Sequence, residues 1–467
     1  MNYYLAVDLG ASSGKMLLGY TQDGRIALKE IHRFDNNMVE LNGHLCWDID
    51  ALYRNIIQGL KLCREIGMIP TTLGIDTWAV DFVLLDKNYS ILGNSVAYRD
   101  SRTDEMDKEI EQYISQQELY SITGIQKQPF NTIYQLAAVK KENPEHLKEA
   151  EYFLMIPDYL NFLLTGKCLN EYTNATSTNL INAETKTWDY ELIDKLGYPK
   201  KLFRPLSLPG TIVGKFTDKV KAEVGFDCTV VLPATHDTAS AFIAVPTHDD
   251  NAVTISSGTW SLLGVENMHP ITTEQSRQHN FTNEGGFEYR YRYLKNIMGL
   301  WMIQSIRRDL DKAFSYAQLE QMARDSSDFK SVVDVNDNAF LKPENMIDAV
   351  KNACRMTRQP VPETIGQVMQ CVYTSLANCY AVTIRELESL TGKKYDRIHI
   401  VGGGSKDGYL NMLTAKSANL PVYAGPDEGT ALGNLSAQMI GAKEFPDIYS
   451  VRTAISNSFD IKLIQPQ

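Results

Sequence analysis

The chain has 467 residues, of which 43% are hydrophobic, and its formal net charge is −11. This length supports two hydrophobic cores better than one, so we expect two domains with a cleft between them. The acidic balance and the lack of a long lysine or arginine run argue against nucleic acid or an anionic membrane surface as the main partner, and favour a small-molecule substrate.

The N-terminal residues and the cysteines indicate the compartment. The chain starts directly with strand-like residues, and no apolar stretch approaches the length of a membrane span, so we expect a cytoplasmic protein. The seven cysteines are scattered, without a CxxC pair or a zinc-ligand spacing. Separate reduced thiols are therefore favoured, although Cys354 and Cys371 could meet between neighbouring helices.

The first predicted element is a hairpin with a glycine-serine turn. An apolar strand at residues 5–9 carries Asp8, and a second strand follows the turn. Backbone N–H groups and small hydroxyls in such a turn suit a phosphate, because no bulky side chain blocks its approach. The residues expected at the phosphate are Ala11, Ser12, Ser13, Gly14 and Lys15.

Further elements along the first half complete a mixed sheet with helical cover. Turn signals near residues 22–24 and 41–43 predict a meander, and apolar residues at helical spacing predict a helix over 48–64. A buried strand is expected at 72–76. A polar turn within 243–251 is the expected domain junction.

The second half repeats this plan. A second glycine-serine turn at 256–259 joins strands around Val253 and Leu262, and a long helix is expected over 365–391. The strand at 398–401 ends on three glycines, and a helix of small residues opens at 429–434. Recurrence of one supersecondary unit at long spacing predicts a duplicated architecture. The three glycines and this helix are expected to form the floor of an adenosine pocket.

The segment His236-Asp237-Thr238 is the best candidate for chemistry. It follows an apolar strand at 230–232 and precedes small residues suited to a closely packed helix. Taken alone, an aspartate at a helix start is more often a cap than a catalyst. Its position at the end of the first half favours a role in the cleft.

Several blocks together resemble the FGGY family of carbohydrate kinases, within the superfamily of actin and the chaperone ATPases. These blocks are residues 7–14, 74–78, 80–86, 97–102, 171–176, 236–241, 256–261, 294–301 and 401–404. The resemblance implies an α/β fold of two actin-like (ribonuclease H-like) domains, each a mixed sheet flanked by helices. The expected domains are 1–245, with the sugar site, base and first phosphate turn, and 246–467, with the second phosphate turn and the adenosine site.

The same resemblance implies an ATP-dependent ketose kinase that converts L-rhamnulose to L-rhamnulose 1-phosphate. Asp237 would be the catalytic base, because phosphoryl transfer depends mainly on positioning and charge neutralisation. Asp8 would hold Mg²⁺ through water. The remaining implied contacts are Thr259, Gln304 and Gly403 for ATP, and Ala79, His236, Asp237, Thr238 and Asn296 for the sugar.

One implied sugar contact departs from the pattern, because Ala79 stands where the resemblance would place glycine. A backbone contact would survive this change, whereas a positive φ would be strained in alanine. The resemblance also implies that the indole of Trp78 covers one face of the sugar.

Two alternatives stay open at this point. The first is a kinase for another ketose, such as L-fuculose or L-xylulose, because a single epimer changes few residues. The second is a nucleotide-switched interaction protein similar to actin or the chaperone ATPases. We expect a monomer or a homodimer.

Overall fold

The computed structural model describes residues 2–466. Its strands in chain order are β1 Tyr4–Leu9, β2 Ser13–Gln22, β3 Arg25–Asp35, β4 Met38–Leu41, β5 His44–Trp47, β6 Thr72–Thr77, β7 Phe82–Leu85, β8 Tyr152–Met155, β9 Asn170–Glu171, β10 Ile181–Asn182, β11 Thr187–Trp188, β12 Leu206–Ser207, β13 Ile212–Lys215, β14 Thr229–Val231, β15 Ala252–Ser257, β16 Trp260–Asn267, β17 Thr282–Gly285, β18 Tyr291–Met298, β19 Arg397–Val401, β20 Val422–Ala424 and β21 Lys462–Ile464.

The α-helices are α1 Ile49–Glu65, α2 Met106–Glu111, α3 Gln116–Thr123, α4 Thr132–Glu142, α5 Pro144–Glu149, α6 Ile156–Thr165, α7 Tyr172–Ala175, α8 Tyr190–Lys195, α9 Asp218–Val224, α10 Asp237–Ile243, α11 Glu274–Gln278, α12 Trp301–Asp309, α13 Tyr316–Asp325, α14 Met346–Met356, α15 Ile365–Thr391, α16 Gly408–Ala418, α17 Gly429–Gly441 and α18 Ile448–Ser458.

The chain divides into two compact units, each assembled from separate stretches. The first unit contains the residues up to Ala244, together with 266–293 and 430–458. The second contains 245–265, 294–429 and the residues from Phe459 onward. Two late segments of the chain therefore belong to the first unit.

The first unit is built on a six-stranded sheet in the order β13-β14-β6-β1-β2-β3. β1 and β2 form the predicted hairpin, and β6 lies parallel to β1 on its other side. β14 is parallel to β6, so three neighbouring strands point the same way. Their carboxyl ends therefore meet at one edge of the sheet, which is where α/β proteins bind ligands.

The second unit contains the same arrangement. β15 and β16 form the second predicted hairpin, and β19 lies parallel to β15 with β20 parallel to β19. β15 and β16 thus correspond to β1 and β2, and β19 corresponds to β6. The predicted duplication is confirmed at the level of topology.

The principal helices coincide with the predicted ones. α1 is capped by Asp48, whose side chain accepts from Ala51 N at 2.8 Å, and it buries Ile56 and Leu60 in the core of the first unit. In the second unit, α15 starts with a capping box of Thr364 and Gln367. Within residues 2–466, no helix has both the length and the apolar character needed to cross a bilayer.

The cysteines form no disulfide in the described chain. All seven are free thiols, and the Sγ atoms of Cys354 and Cys371 lie 3.9 Å apart. These two thiols lie on the neighbouring helices α14 and α15 and are not bonded to each other, in agreement with the favoured prediction of separate thiols.

Candidate active site

Three aspartates meet at the carboxyl edge of the first sheet. Asp8 of β1 and Asp76 of β6 are direct neighbours in the parallel register. Asp237 is the first residue of α10, which follows β14. The backbone extends this alignment, because Thr77 N donates to Thr235 O at 2.9 Å. Parallel pairing thus assembles residues that are far apart in sequence.

The electrostatics of this cluster follow from burial and like charge. Burial, with the neighbouring charge of Asp8, raises the pKa of Asp237 from 3.8 to about 7, against the hydrogen bonds from Thr238. Burial and Asp8 likewise raise the pKa of Asp76 well above its ordinary value. Lys15 Nζ lies 3.2 Å from Asp8 Oδ2 and offsets part of the negative charge. The cluster can therefore hold a proton at neutral pH.

Asp237 is oriented by its own neighbour. Its Oδ1 accepts from Thr238 N at 2.5 Å and from Thr238 Oγ1 at 3.1 Å. The Asp237 side chain is 30% exposed, unlike the largely buried His236 before it. A hydroxyl substrate can thus reach the carboxylate from solvent.

Asn36 makes two hydrogen bonds to the backbone of the first phosphate turn. Asn36 Nδ2 donates to Gly10 O at 2.9 Å, and Asn36 N donates to Ser12 O at 3.1 Å. Ser12 and Ser13 are exposed, and no bulky side chain stands at their positions. A glycine-serine turn of this kind has the character of an anion cradle.

Two observations on the loop after β6 bear on the implied sugar contacts. The positive φ, 68°, falls on Val80, so Ala79 does not carry the strain expected of that conformation. Trp78 is only 5% exposed and its ring centroid lies 4.0 Å from that of Trp47, so its indole packs in the core. Asp81 Oδ2 accepts from both indoles, at 2.6 Å from Trp47 and 2.9 Å from Trp78, and fixes this pair.

Glu171 supports the segment that carries His236. Its carboxylate is fully buried and accepts from Thr173 N, Thr173 Oγ1 and Asn174 N, at 2.8, 2.6 and 3.1 Å. It also accepts from Thr235 N at 3.2 Å and Thr235 Oγ1 at 2.6 Å. The block 171–176 is recognisable in the sequence, but it did not predict this role for Glu171. The only signal was an acid among small hydroxyl residues.

Asn434 is another residue whose role the sequence did not indicate. α17 was predicted to pack on the strand at 398–401, and its first residue, Gly429, does lie close to Val401. Asn434, farther along, donates to Asp76 Oδ2 at 2.6 Å and to Gly74 O at 3.1 Å in the first unit. Most of this helix therefore belongs to the first unit, and its Asn434 supports the aspartate cluster.

The second unit brings two of the predicted nucleotide residues, Thr259 and Gln304, close together. Thr259 Oγ1 and Gln304 Oε1 lie 3.5 Å apart, and Trp301 N donates to Thr259 O at 3.0 Å. The glycine turn after β19 packs against Ser257, since a Cβ at Gly404 would overlap Ser257 Oγ.

Gly403 and Asn296 are also in the second unit. A Cβ at Gly403 would meet nothing within 4 Å, so this position faces open space. Asn296 lies on β18, whereas Ala79, His236, Asp237 and Thr238 belong to the first unit.

The donor chemistry at the sheet edge fits a hard divalent cation. Asp8 is 6% exposed, and the buried Oδ1 of its neighbour Asp76 has no hydrogen-bond partner among residues 2–466. No group of three or more acidic, histidine or cysteine side chains in the described part of the chain forms a ready metal cage. Magnesium is commonly held by one or two carboxylates, with waters and phosphate oxygens filling its shell, so the residues fit Mg²⁺.

Comparison with known proteins identifies the family of the chain. The family model described as the N-terminal domain of the FGGY family of carbohydrate kinases matches residues 3–244, and the model of its C-terminal domain matches 253–442. The chain therefore belongs to the FGGY family of carbohydrate kinases and is a phosphotransferase.

Two relatives resemble the chain over its whole length. A rhamnulokinase from Oceanobacillus iheyensis is 50% identical, covering 98% of this chain and 97% of that protein. A rhamnulokinase from Halalkalibacterium halodurans is 51% identical, covering 99% and 98%.

Solved structures show the same fold at low identity. The ligand-bound xylulose kinase from Lactobacillus acidophilus superposes with a TM-score of 0.82 at 18% identity, covering 100% of this chain and 94% of that one. Plasmodium falciparum glycerol kinase with ADP gives a TM-score of 0.80 at 15% identity, covering 100% and 95%. The predicted two-domain α/β fold is confirmed.

Proposed function

We propose that this carbohydrate kinase transfers the γ-phosphoryl group of ATP to L-rhamnulose and forms L-rhamnulose 1-phosphate. The observation that carries the proposal is a carboxylate on α10, beside a phosphate turn and a second aspartate in the same sheet edge. The choice of sugar is supported by relatives at 50% and 51% identity that are named rhamnulokinase.

In this proposal Asp237 removes the proton from the reacting hydroxyl. Thr238 occupies Asp237 Oδ1, which leaves Oδ2 as the accepting atom. A pKa of about 7 matches the base to neutral pH, because the carboxylate is then available and still basic enough to take a proton in the transition state. The reaction needs little further covalent chemistry from the protein.

Each unit has its own proposed contacts to ATP at its glycine-serine turn. In the first unit, residues 11–15 offer N–H groups and the ammonium of Lys15, and Asp8 would hold Mg²⁺ through water. Bound Mg²⁺ supplies charge neutralisation for the transferring phosphoryl group. In the second unit, Thr259, Gln304 and Gly403 would contact the nucleotide.

The sugar would contact Ala79, His236, Thr238 and Asn296. Short polar side chains suit its hydroxyls, since each can donate or accept at a defined angle. The proposal assigns the base, the first phosphate turn and the sugar contacts other than Asn296 to residues 1–245, and Asn296, the second phosphate turn and adenosine to 246–467.

A ketose panel tests the substrate. ADP release is measured with L-rhamnulose, L-fuculose, L-xylulose and D-xylulose, and ³¹P NMR locates the phosphate on the product. We expect kcat/KM to be highest for L-rhamnulose by at least about tenfold, the scale of the net free energy of one hydrogen bond. A higher value for another ketose would reassign the substrate within the family. Equal ATP turnover with no sugar present would reject sugar phosphorylation altogether.

A further inference from the structure

Arg292 is a fully enclosed arginine beside the proposed sugar site. It lies on β18 within the first unit, is 1% exposed, and its Nε donates to Gly285 O at 3.0 Å. Its Nη1 atom lies 3.0 Å from Glu284 Oε2, an ion pair whose angle falls outside hydrogen-bond geometry. Enclosing a guanidinium is costly unless its donors are used, so its third contact is informative.

That third contact is the ring of His236. Arg292 Nη2 lies 3.0 Å from His236 Nδ1, and the His236 side chain is 8% exposed. A guanidinium has donors and no acceptor, so at this distance Nδ1 must supply its lone pair. A neutral imidazole whose Nδ1 accepts carries its proton on Nε2. The neighbouring cation thus determines the tautomer.

The other ring nitrogen faces the proposed base. His236 Nε2 lies 3.5 Å from Asp237 Oδ1, on the side of the ring away from Arg292. With the proton on Nε2, His236 is a hydrogen-bond donor at this point and cannot compete with Asp237 as a base. Burial, and then the charge of Arg292, also lower the pKa of His236 well below its ordinary value, so the ring stays neutral.

We propose that Arg292 is a positioning residue that holds His236 in the Nε2–H tautomer, so that His236 presents a donor to a sugar hydroxyl oxygen next to Asp237. The proposal rests on the sugar site described above. It assigns to the sugar a hydroxyl that accepts from His236, and it leaves proton removal to Asp237 alone.

The tautomer can be read directly in the ligand-free protein. Long-range ¹H–¹⁵N correlation spectra distinguish a protonated from a bare imidazole nitrogen, and His236→Gln identifies the relevant signal by its loss. We expect Nε2 protonated and Nδ1 bare. A protonated Nδ1 in the unaltered protein overturns the proposal, whichever sugar is the substrate.

Arg292→Met removes the donors and keeps much of the side-chain volume. His236 Nδ1 then faces Glu284 Oε2, 3.4 Å away, so we expect Nδ1 to become protonated. KM for the sugar should rise about 10- to 100-fold, because a buried donor is lost, while KM for ATP stays within about twofold. An unchanged sugar KM in a variant whose tautomer has switched overturns the positioning role.

Two further variants separate this role from simple loss of folding. Arg292→Lys keeps a charged donor, and it should retain the tautomer and recover most of the sugar affinity even if Arg292→Met fails to fold. Glu284→Gln leaves Arg292 in place and should leave the tautomer unchanged. A switched tautomer in either variant contradicts the proposal.

Arg452 supplies the matched control. It is 2% exposed and, like Arg292, donates to a backbone carbonyl, Phe242 O at 2.9 Å, and pairs with a glutamate, Glu266 Oε2 at 2.8 Å. Arg452→Met should lower the Tm as Arg292→Met does and leave the tautomer and sugar KM unchanged. An equal rise in sugar KM in both variants would show a structural effect and overturn the assignment. A preference for another ketose with Nε2–H intact would overturn the choice of sugar alone.

Discussion

Asp237→Asn is expected to stabilise the ligand-free protein while removing most of its turnover. The folded protein raises the pKa of this carboxyl from 3.8 to about 7, mainly through burial and then through the charge of Asp8. A shift of that size corresponds to a ceiling of about 4 kcal/mol of destabilisation by the charged form. Because the side chain is 30% exposed, we expect about half of this, near 2 kcal/mol.

The gain should depend on pH in a defined direction. A raised folded pKa means that the native state binds the extra proton between 3.8 and about 7, so the contribution of Asp237 to stability falls as pH rises through this window. Asparagine has no such dependence. The advantage of Asp237→Asn should therefore be larger near pH 8 than near pH 5, by about 1–2 kcal/mol.

Urea unfolding without nucleotide or metal, at both pH values, measures this difference. Asp100→Asn is the control, because the folded protein lowers the pKa of Asp100 instead of raising it. Burial raises this pKa, but the N–H groups of Leu45 and Arg102 and the ring of His44 hold it below its ordinary value. That variant should lose stability by a similar amount at both pH values, because its window lies below pH 5. No gain for Asp237→Asn near pH 8, or a gain equal at both pH values, would refute the reasoning.

Turnover gives the second half of the same prediction. Loss of a general base costs about 10²- to 10⁴-fold in kcat, while KM for the sugar should change only a few-fold because asparagine keeps the shape. Steady-state kinetics on the stabilised variant therefore separate catalysis from folding. A kcat within a few-fold of the unaltered enzyme would remove Asp237 from the base role.

Three further predictions follow from the packing and the metal chemistry. Gly433→Ala would make the new Cβ overlap Ser240 O of α10, so we expect kcat to fall and the free energy of unfolding in urea to drop by several kcal/mol. Gly441→Ala in the same helix is the control and should be neutral, because its Cβ would lie 3.5 Å from the nearest atom. Equal effects of the two substitutions would contradict this expectation. The hydroxyls of Thr173 and Thr235 both donate to the carboxylate of Glu171, and in Glu171→Gln an amide N–H would face such donors. We expect this variant to lower the free energy of unfolding by about 2–4 kcal/mol. An unchanged urea midpoint would show that these hydrogen bonds contribute little. Activity should disappear with a chelator and return with Mg²⁺, and phosphorylation that is insensitive to chelation would exclude the metal role of Asp8. Asp8→Asn should raise the Mg²⁺ concentration needed for the half-maximal rate at least about tenfold.

Local patterns predicted most of the elements. Apolar spacing located α1 and α15, and turn residues located the two hairpins, because these features depend on neighbours within a few positions. The two similar turns also predicted the duplicated sheet. Residues that belong to recognisable blocks, such as Asp8 and Asp237, could therefore be proposed for chemistry from the amino-acid sequence alone.

The tertiary structure alone decided which distant residues support that chemistry. Asp76 lies beside Asp8 because β6 pairs in parallel with β1, and Asn434 reaches Asp76 because a segment near the end of the chain belongs to the first unit. Arg292 reaches His236 from 56 positions away. Such contacts depend on strand order and on where helices return, and no short-range pattern of hydrophobicity or turn residues encodes them. The sequence by itself determined the kinds of side chain available, and the fold determined which of them share a proton, a donor or a charge.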